Sequence, residues 1–362
     1  MDNLEENELI SVINSGWFSE GKKTKYFEEI FAKFVGSKYA CTVTSGTTGL
    51  YVGLKALDIK KGDEVIVPDL TFVASPNSIE AVGAKPVLVD IDNFSLNLDL
   101  SQVENSITKK TKAIMPVVFN GRSCNMNKLR KIAKENNLSI IEDAAHGLGC
   151  FFGKKHVGLL SDLAVISFST PKIITTGQGG MIITNNKKLY ERCKSVKDFG
   201  RKPNTKQNMY SAFKHPSIGY NFKFTDFQAA IGIAQMSKLE KRIKIKKKMY
   251  NLYRNYLSKI PSITFIDTDL NYIVPWMMDI ILESKKQRND LINFLMTRNI
   301  ETRIFYPPIH RLGPYLSKDK KFKNTVNFAE RGLWLPSSVT LKESEIKFIC
   351  KNIMDFFKNG TK

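Results

Sequence analysis

The stretch Ser167–Asn185, "SFSTPKIITTGQGGMIITN", sets one lysine, Lys172, between two apolar runs. Most of the 44 lysines among the chain's 55 basic residues must be solvated surface charge. This one follows the buried-looking run "LAVISFS" and precedes a strand that opens at Gly179–Gly180. A lysine at such an edge loses hydration, its amine pKa falls, and it becomes a nucleophile toward carbonyls. Three further points fall at a strand end or in the turn after it, the edge at which open α/β sheets bind ligands. Thr44-Ser45-Gly46-Thr47-Thr48 stands at a strand-to-helix turn, where free N–H groups and hydroxyls suit a phosphate. The same residues also serve as an ordinary helix cap. Phe72 of "DLTFVAS" is either core or a surface against which a ligand ring lies flat. Asp143 of "IIEDAAHG" ends an apolar run, where an ionised carboxylate needs a cationic or hydrogen-bonding partner. His146, three residues on, addresses the same ligand, unless the segment is only a capped turn.

A phosphate cup, a stacking aromatic, a carboxylate for a ring nitrogen and a lysine for an aldehyde together describe a site for pyridoxal 5'-phosphate (PLP). The elements around them fit that reading. Segments 38–44, 63–69, 85–92, 111–119, 138–144, 163–169 and 179–185 read as strands, and amphipathic helical segments alternate with them. Continuous Val/Ile/Leu runs of this kind predict an α/β fold with a mainly parallel mixed sheet covered by helices on both faces. After Thr225 the pattern changes to one helical stretch of some thirty residues closed by Pro261, then shorter strands and helices at 285–298 and 343–358. Residues 1–240 are therefore expected to form a large cofactor-binding domain and residues 241–362 a smaller α+β domain.

Composition narrows the classes. The chain has 362 residues, 42% hydrophobic and 25% charged, values ordinary for a soluble globular protein. No apolar run approaches a membrane span, and the acidic, amphipathic start "MDNLEENELISVINSGW" is neither a secretion signal nor a transit peptide, so a cytoplasmic protein is expected. Five scattered cysteines without a CxxC pair and four histidines without a helical pair speak against a disulfide framework and a metal centre. The net charge of +20 does not point to nucleic acid, because lysines are spread along the chain. The one dense basic run, "KLEKRIKIKKKMY" (238–250), carries an apolar stripe of Leu239, Ile243 and Met249 and reads as the outer face of a long helix.

The ordered series of motifs resembles the DegT/DnrJ/EryC1/StrS family of PLP-dependent sugar aminotransferases, which have the type I aspartate-aminotransferase fold. The resemblance rests on "SGWFSEGKKTKYFEEIFAKFVGSKYACTVTSGTTGLYVGLKAL", "GDEVIVPDLTFVASPNSIEAVGAKPVLVDID", "IIEDAAHGLG", the Lys172 stretch, "IGYNFKFTDFQAAIGIAQMSKLE" and "IETRIFYPPIHRLGPY". It implies that Lys172 carries PLP as a Schiff base and shuttles a proton, and that pyridoxamine phosphate (PMP) is the alternate cofactor form. It further implies that Asp143 pairs with the pyridinium nitrogen, that His146 lies near the phenolic oxygen, and that Phe72 is the stacking aromatic. Gly46, Thr47 and Ser167 would hold the phosphate, completed by Asn221 or Lys223 from the opposite subunit of a homodimer. Arg303, Tyr306 and His310 would lie near the sugar nucleotide.

The resemblance implies ping-pong amino transfer from L-glutamate, leaving as 2-oxoglutarate, to a nucleotide-linked 3-keto- or 4-keto-6-deoxyhexose for amino-sugar biosynthesis. Dehydration on the same scaffold and a non-enzymatic PLP-retaining sensor are the alternatives; in the family's dehydratase branch a histidine replaces the lysine. Three departures stand out. Gln178 occupies the place of an acidic residue before the double glycine, Val118–Gly121 ("VFNG") replaces an "HLYG"-like segment of the sugar pocket, and the proline-bearing segment before the first helix is absent, so that a late start of the chain is expected.

Overall fold

The computed structural model describes residues 1–203, 212, 214–318 and 321–359, so the end of the expected small domain, 360–362, lies outside the described residues. Two N-terminal helices, α1 (Asn3–Ser15) and α2 (Lys22–Val35), lead into strand β1 (Tyr39–Val43). There follow α3 (Gly46–Ala56), β2 (Glu64–Pro68), α4 (Ala74–Ala81), β3 (Lys85–Val89), α5 (Leu100–Asn105) and β4 (Thr111–Ile114). Helix α6 (Met126–Glu135), β5 (Ser139–Asp143), the hairpin β6 (Phe151–Phe152) and β7 (Lys155–His156), β8 (Leu163–Ser167) and β9 (Gly180–Thr184) complete the series. Seven of these strands form one sheet in the order β1-β9-β8-β5-β4-β2-β3. It is parallel from β8 through β5, β4 and β2 to β3, and β9 runs antiparallel to both its neighbours. That is the mainly parallel mixed sheet expected. Strands β8 and β9 are buried along their whole length, as a sheet covered on both faces requires.

Helix α3 shows why the local sequence folds this way. Ser45 caps it in a reciprocal box with Thr48, and Leu50 and Leu54 turn onto the sheet. Each such side chain, once removed from water, stabilises the fold by about 1.5–3 kcal/mol. The expected strand 111–119 stops early, because Pro116 has no N–H to continue the ladder; its carbonyl instead accepts from Asp143 N at 2.9 Å.

Helix α7 (Lys187–Lys197) closes this part, and α8 (Asp226–Ser237) packs against α1 and α2. The expected single long helix is two: the chain turns at Lys238, whose ammonium is bonded to Asp2 and Glu5 of α1, before α9 (Leu239–Leu257) begins. Strands β10 (Ile263–Thr264), β11 (Met278–Leu282), β12 (Arg303–Ile304) and β13 (Gly332–Leu335) form a second, antiparallel sheet in the order β10-β11-β13-β12. Helices α9, α10 (Lys285–Met296) and α12 (Glu343–Asn359) share a core with it, while α11 (Lys323–Arg331) runs into β13.

The basic run of α9 is not wholly an outer face. Lys246 is only 4% exposed, and its ammonium donates to the carbonyls of Trp276 (2.7 Å) and Ser337. Lysine periodicity places charge on a helix; it does not show which lysine a neighbouring segment will cover. No described helix is long and apolar enough to cross a membrane.

Candidate active site

The C-terminal ends of β5 and β8, the N-terminus of α3 and the loop after β2 surround a cavity of about 300 Å³. Gly46, Thr47, Phe72, Asp143, His146, Ser167, Lys172, Arg303 and Tyr306 all line it, although Gly46 and Arg303 are 257 positions apart in the chain. The close approach of three elements depends on glycine. A Cβ on Gly180 would stand 2.6 Å from the Ser45 carbonyl oxygen, and one on Gly46 would stand 3.1 Å from Ser167 Cβ. Without side chains there, the start of α3 seats directly on the ends of β8 and β9. The capping box uses the N–H groups of Ser45 and Thr48, which leaves those of Gly46 and Thr47 at the positive end of the helix.

Asp143 ends β5 and is 6% exposed. One carboxylate oxygen accepts from Ser75 Oγ at 2.7 Å and the other from Ala145 N at 3.1 Å; Ser75 in turn is 2.8 Å from Thr71 Oγ1. Burial raises its pKa, while Ser75, Ala145 and the positive charge of Lys172 act in the opposite direction. It makes no direct ion pair among the described residues, Lys172 acting on it only from across the cavity, so a buried carboxylate faces the cavity without a cation in contact. A pyridinium N–H supplies one.

Lys172 lies in the loop between β8 and β9, its N–H bonded to Ser169 O at 3.0 Å. Burial pushes its amine down to about 7, Arg303 adds to that fall, and Asp143 resists it. His146 is held well below its ordinary range by burial and by the nearby charges of Lys172 and Arg303. Its Nδ1 accepts from Asn120 N at 3.4 Å, which fits a neutral ring protonated on Nε2. Phe72, expected as core or as a stacking face, is 49% exposed and meets Tyr306 at 5.3 Å between ring centroids.

The structure does not bring one expected residue, His310, into this cavity, and Asn221 and Lys223, expected to serve the opposite subunit, stand apart from it. His310 is fully buried: its N–H and Nδ1 both bond the Asp69 carboxylate, at 2.8 and 2.6 Å, and its ring stacks on Phe322. A buried carboxylate claims the nearest donors, and that removes this histidine from the cavity wall. Asn221 is exposed and bridges to Asp198, and Lys223 forms an ion pair with Asp198 at 3.2 Å; both stand outside this chain's cavity.

Two other expectations are modified. The "VFNG" segment lines the cavity through Phe119, but Asn120 turns away to bind Met277 O and Asp279. Gln178 lines the cavity and is exposed, while its carbonyl holds Thr176 Oγ1 and Gln228 Nε2. Sequence reading missed Trp276, Ser75 and Thr71. Trp276, from "VPWMMD" just before β11, lies with its ring centroid 4.2 Å from Lys172 Nζ and 3.8 Å from the His146 ring. An aromatic beside a proline at a strand entry was the available signal.

The donor set, the buried carboxylate facing the cavity and the low-pKa lysine fit PLP: Asp143 for the ring nitrogen, Lys172 for the carbonyl carbon, and the start of α3 with Ser167 for the phosphate. Comparison with known proteins agrees. Residues 1–354 match the model of the DegT/DnrJ/EryC1/StrS aminotransferase family. GDP-perosamine synthase of Escherichia coli O157:H7 is 36% identical over 348 residues, covering 96% of this chain and 94% of its own. GDP-perosamine synthase of Vibrio cholerae is 36% identical over 362 residues, covering 99% and 97%. The crystal structure of S. venezuelae DesV in complex with a ketimine intermediate superposes with a TM-score of 0.91 at 28% identity, covering 98% of this chain and 94% of that one. From its motifs, its sheet and the residues around the cavity, this chain belongs to the DegT/DnrJ/EryC1/StrS aminotransferase family.

Proposed function

We propose that the protein transfers an amino group from L-glutamate to the keto carbon of a nucleotide-linked keto-6-deoxyhexose, with GDP as the nucleotide. The observation that carries this reading is that a low-pKa Lys172 and a buried Asp143 face each other across one cavity, in a chain 36% identical to GDP-perosamine synthases over nearly its whole length. Retention of the lysine argues against the dehydratase alternative.

PLP, when bound, supplies the electron sink that lets a substrate Cα proton leave. The protein supplies the rest. Lys172, with an amine near neutrality, takes a proton at Nζ and returns it at the same pH without a large energetic penalty in either direction. Asp143, oriented by Ser75 and Ala145 N, favours a protonated ring nitrogen. Gly46, Thr47 and Ser167 bind the phosphate, and neutral His146 stands near as a hydrogen-bonding group without competing charge. Arg303 and Tyr306 come from the strap leading out of the small sheet and face the acceptor substrate.

The same reading takes the active unit as a cytoplasmic homodimer, with Asn221 or Lys223 completing the partner's phosphate cup, and residues 1–240 and 241–362 as two domains.

Mass spectrometry of products from GDP-, UDP- and dTDP-linked keto sugars with glutamate tests the reading. An amino sugar formed with the GDP substrate, and lost in Lys172→Ala, is expected. A deoxygenated keto sugar as product, or full amino transfer by Lys172→Ala, would overturn it.

A further inference from the structure

Trp276 makes contacts that reach three parts of the site. Its Nε1–H donates to Pro171 O at 2.8 Å, gripping the loop immediately before the lysine. Its ring lies 4.2 Å from Lys172 Nζ, and it stacks on His146 with 3.8 Å between centroids and 23° between planes. Its own carbonyl is held by Lys246 of α9 at 2.7 Å. At 4% exposure it is fixed in one position by both ends. Nothing in the aminotransfer reading assigns this side chain a role, and the contacts are those of a residue that acts on the amine.

We propose that Trp276 is the positioning partner of Lys172, its ring face sustaining the ammonium form of the free amine and its N–H fixing the loop that presents it. A cation over an indole face is attracted by the ring quadrupole, most strongly where water is excluded. The groups facing the amine make that attraction useful. Asp143 at the end of β5 favours the ammonium, Arg303 on β12 opposes it, neutral His146 and Tyr306 add no charge, and burial opposes it most. The indole therefore offsets part of the burial penalty without adding a second carboxylate, which would compete with Asp143 for the ring nitrogen. The amine is free whenever the cofactor carries the amino group, and Lys172 must then take up a proton as a neutral amine and hold it as the ammonium until it is returned. The role rests on the reading that Lys172 exchanges protons with the substrate.

Competitive acetylation of the full chain loaded with pyridoxamine phosphate, read by mass spectrometry on the peptide carrying Lys172 across pH, gives the midpoint of the amine itself. The midpoint is expected to fall by on the order of one pH unit in Trp276→Leu. In Trp276→Phe, which keeps a ring face and loses the N–H, the midpoint is expected to stay near the wild-type value while kcat drops several-fold with little change in KM. Biosynthetic replacement by trifluorotryptophan keeps shape and N–H but weakens the ring quadrupole, so the midpoint is expected to fall even if Trp276→Leu does not fold. An unmoved midpoint in the folded Leu variant or in the fluorinated protein overturns the proposal, as does a Phe variant that shifts as far as Leu. Because the label reads the amine directly, this result is separate from the identity of donor and acceptor. A wild-type chain that fails to make amino sugar would sink the functional reading and leave the midpoints to be judged alone.

Discussion

Asp69 and His310 are paired: the histidine backbone N–H donates to one oxygen of the Asp69 carboxylate at 2.8 Å and its ring Nδ1 lies 2.6 Å from the other, with neither side chain exposed. Asp69 sits three residues before Phe72, and His310 sits four after Tyr306, so the pair ties the loop after β2 to the strap that carries Arg303 and Tyr306. Ile309 N adds a bond to Asp69 O at 3.0 Å. Removing the carboxylate in Asp69→Ala is expected to destabilise the fold by about 2–3 kcal/mol, the scale of a buried hydrogen bond to a charged group. The KM for the sugar nucleotide should rise more than kcat falls. Urea denaturation and steady-state kinetics check both, and an unchanged KM would show that the strap is held by other contacts.

Arg122, in the loop between β4 and α6, and Asp279 of β11 form a bidentate pair at 2.6 and 3.0 Å, with both side chains essentially unexposed. Stripping one member leaves a buried charge without its partner, at a cost of about 3–5 kcal/mol. Arg122→Met alone should therefore be far worse than Arg122→Met with Asp279→Leu. A double-mutant cycle of unfolding free energies measures the coupling, and additive losses would count against it.

Lys246 predicts a pH dependence. Burial pushes its amine from 10.5 down to about 7, with no opposing carboxylate. Below about 7 both folded and unfolded chains carry the proton, and the burial penalty is fully present. Between about 7 and 10.5 the unfolded chain binds more protons, so this residue's contribution to stability improves as pH rises. The stability of the wild type relative to Lys246→Met should accordingly grow by up to about 1.4 kcal/mol per pH unit across that window. Urea titrations of the cofactor-free proteins at pH 6, 8 and 10 decide it, and a flat difference would refute it.

Asp226 caps α2 from outside its own segment. Helix α2 has Gly21 at its cap position and no side-chain cap there; Asp226 accepts instead from Gly21 N (2.9 Å), Lys23 N (3.2 Å) and Thr24 N (2.9 Å). Asp226→Ala should lower stability by about 2 kcal/mol, at the upper end for a lost cap, and Asp226→Asn by less. Thermal unfolding of the two variants gives the order, and equal losses would mean that the carboxylate's charge and geometry matter little.

Much of this architecture was legible along the chain. The seven strands of the large sheet, the helix after Ser45 and the helices near 285 and 343 follow from hydrophobic period and capping residues, which act over a few residues. Lys172, Asp143, Ser167 and the Gly46 turn were visible because strand ends and tight turns carry their own local signatures. The break at Lys238 was not, because both flanking segments are strongly helical and the turn coincides with ion pairs to Asp2 and Glu5, more than 200 positions away.

The sequence by itself determined most of the large sheet's strands, its mainly parallel character and the residue types gathered at its edge, since these depend on side-chain volume, period and backbone freedom. Only the tertiary structure decided who meets whom. It placed Trp276 beside Lys172, turned His310 away to Asp69, and covered Lys246 within a run of solvated lysines. Contacts between distant segments depend on which buried polar group finds a partner first in three dimensions, and no local period encodes that.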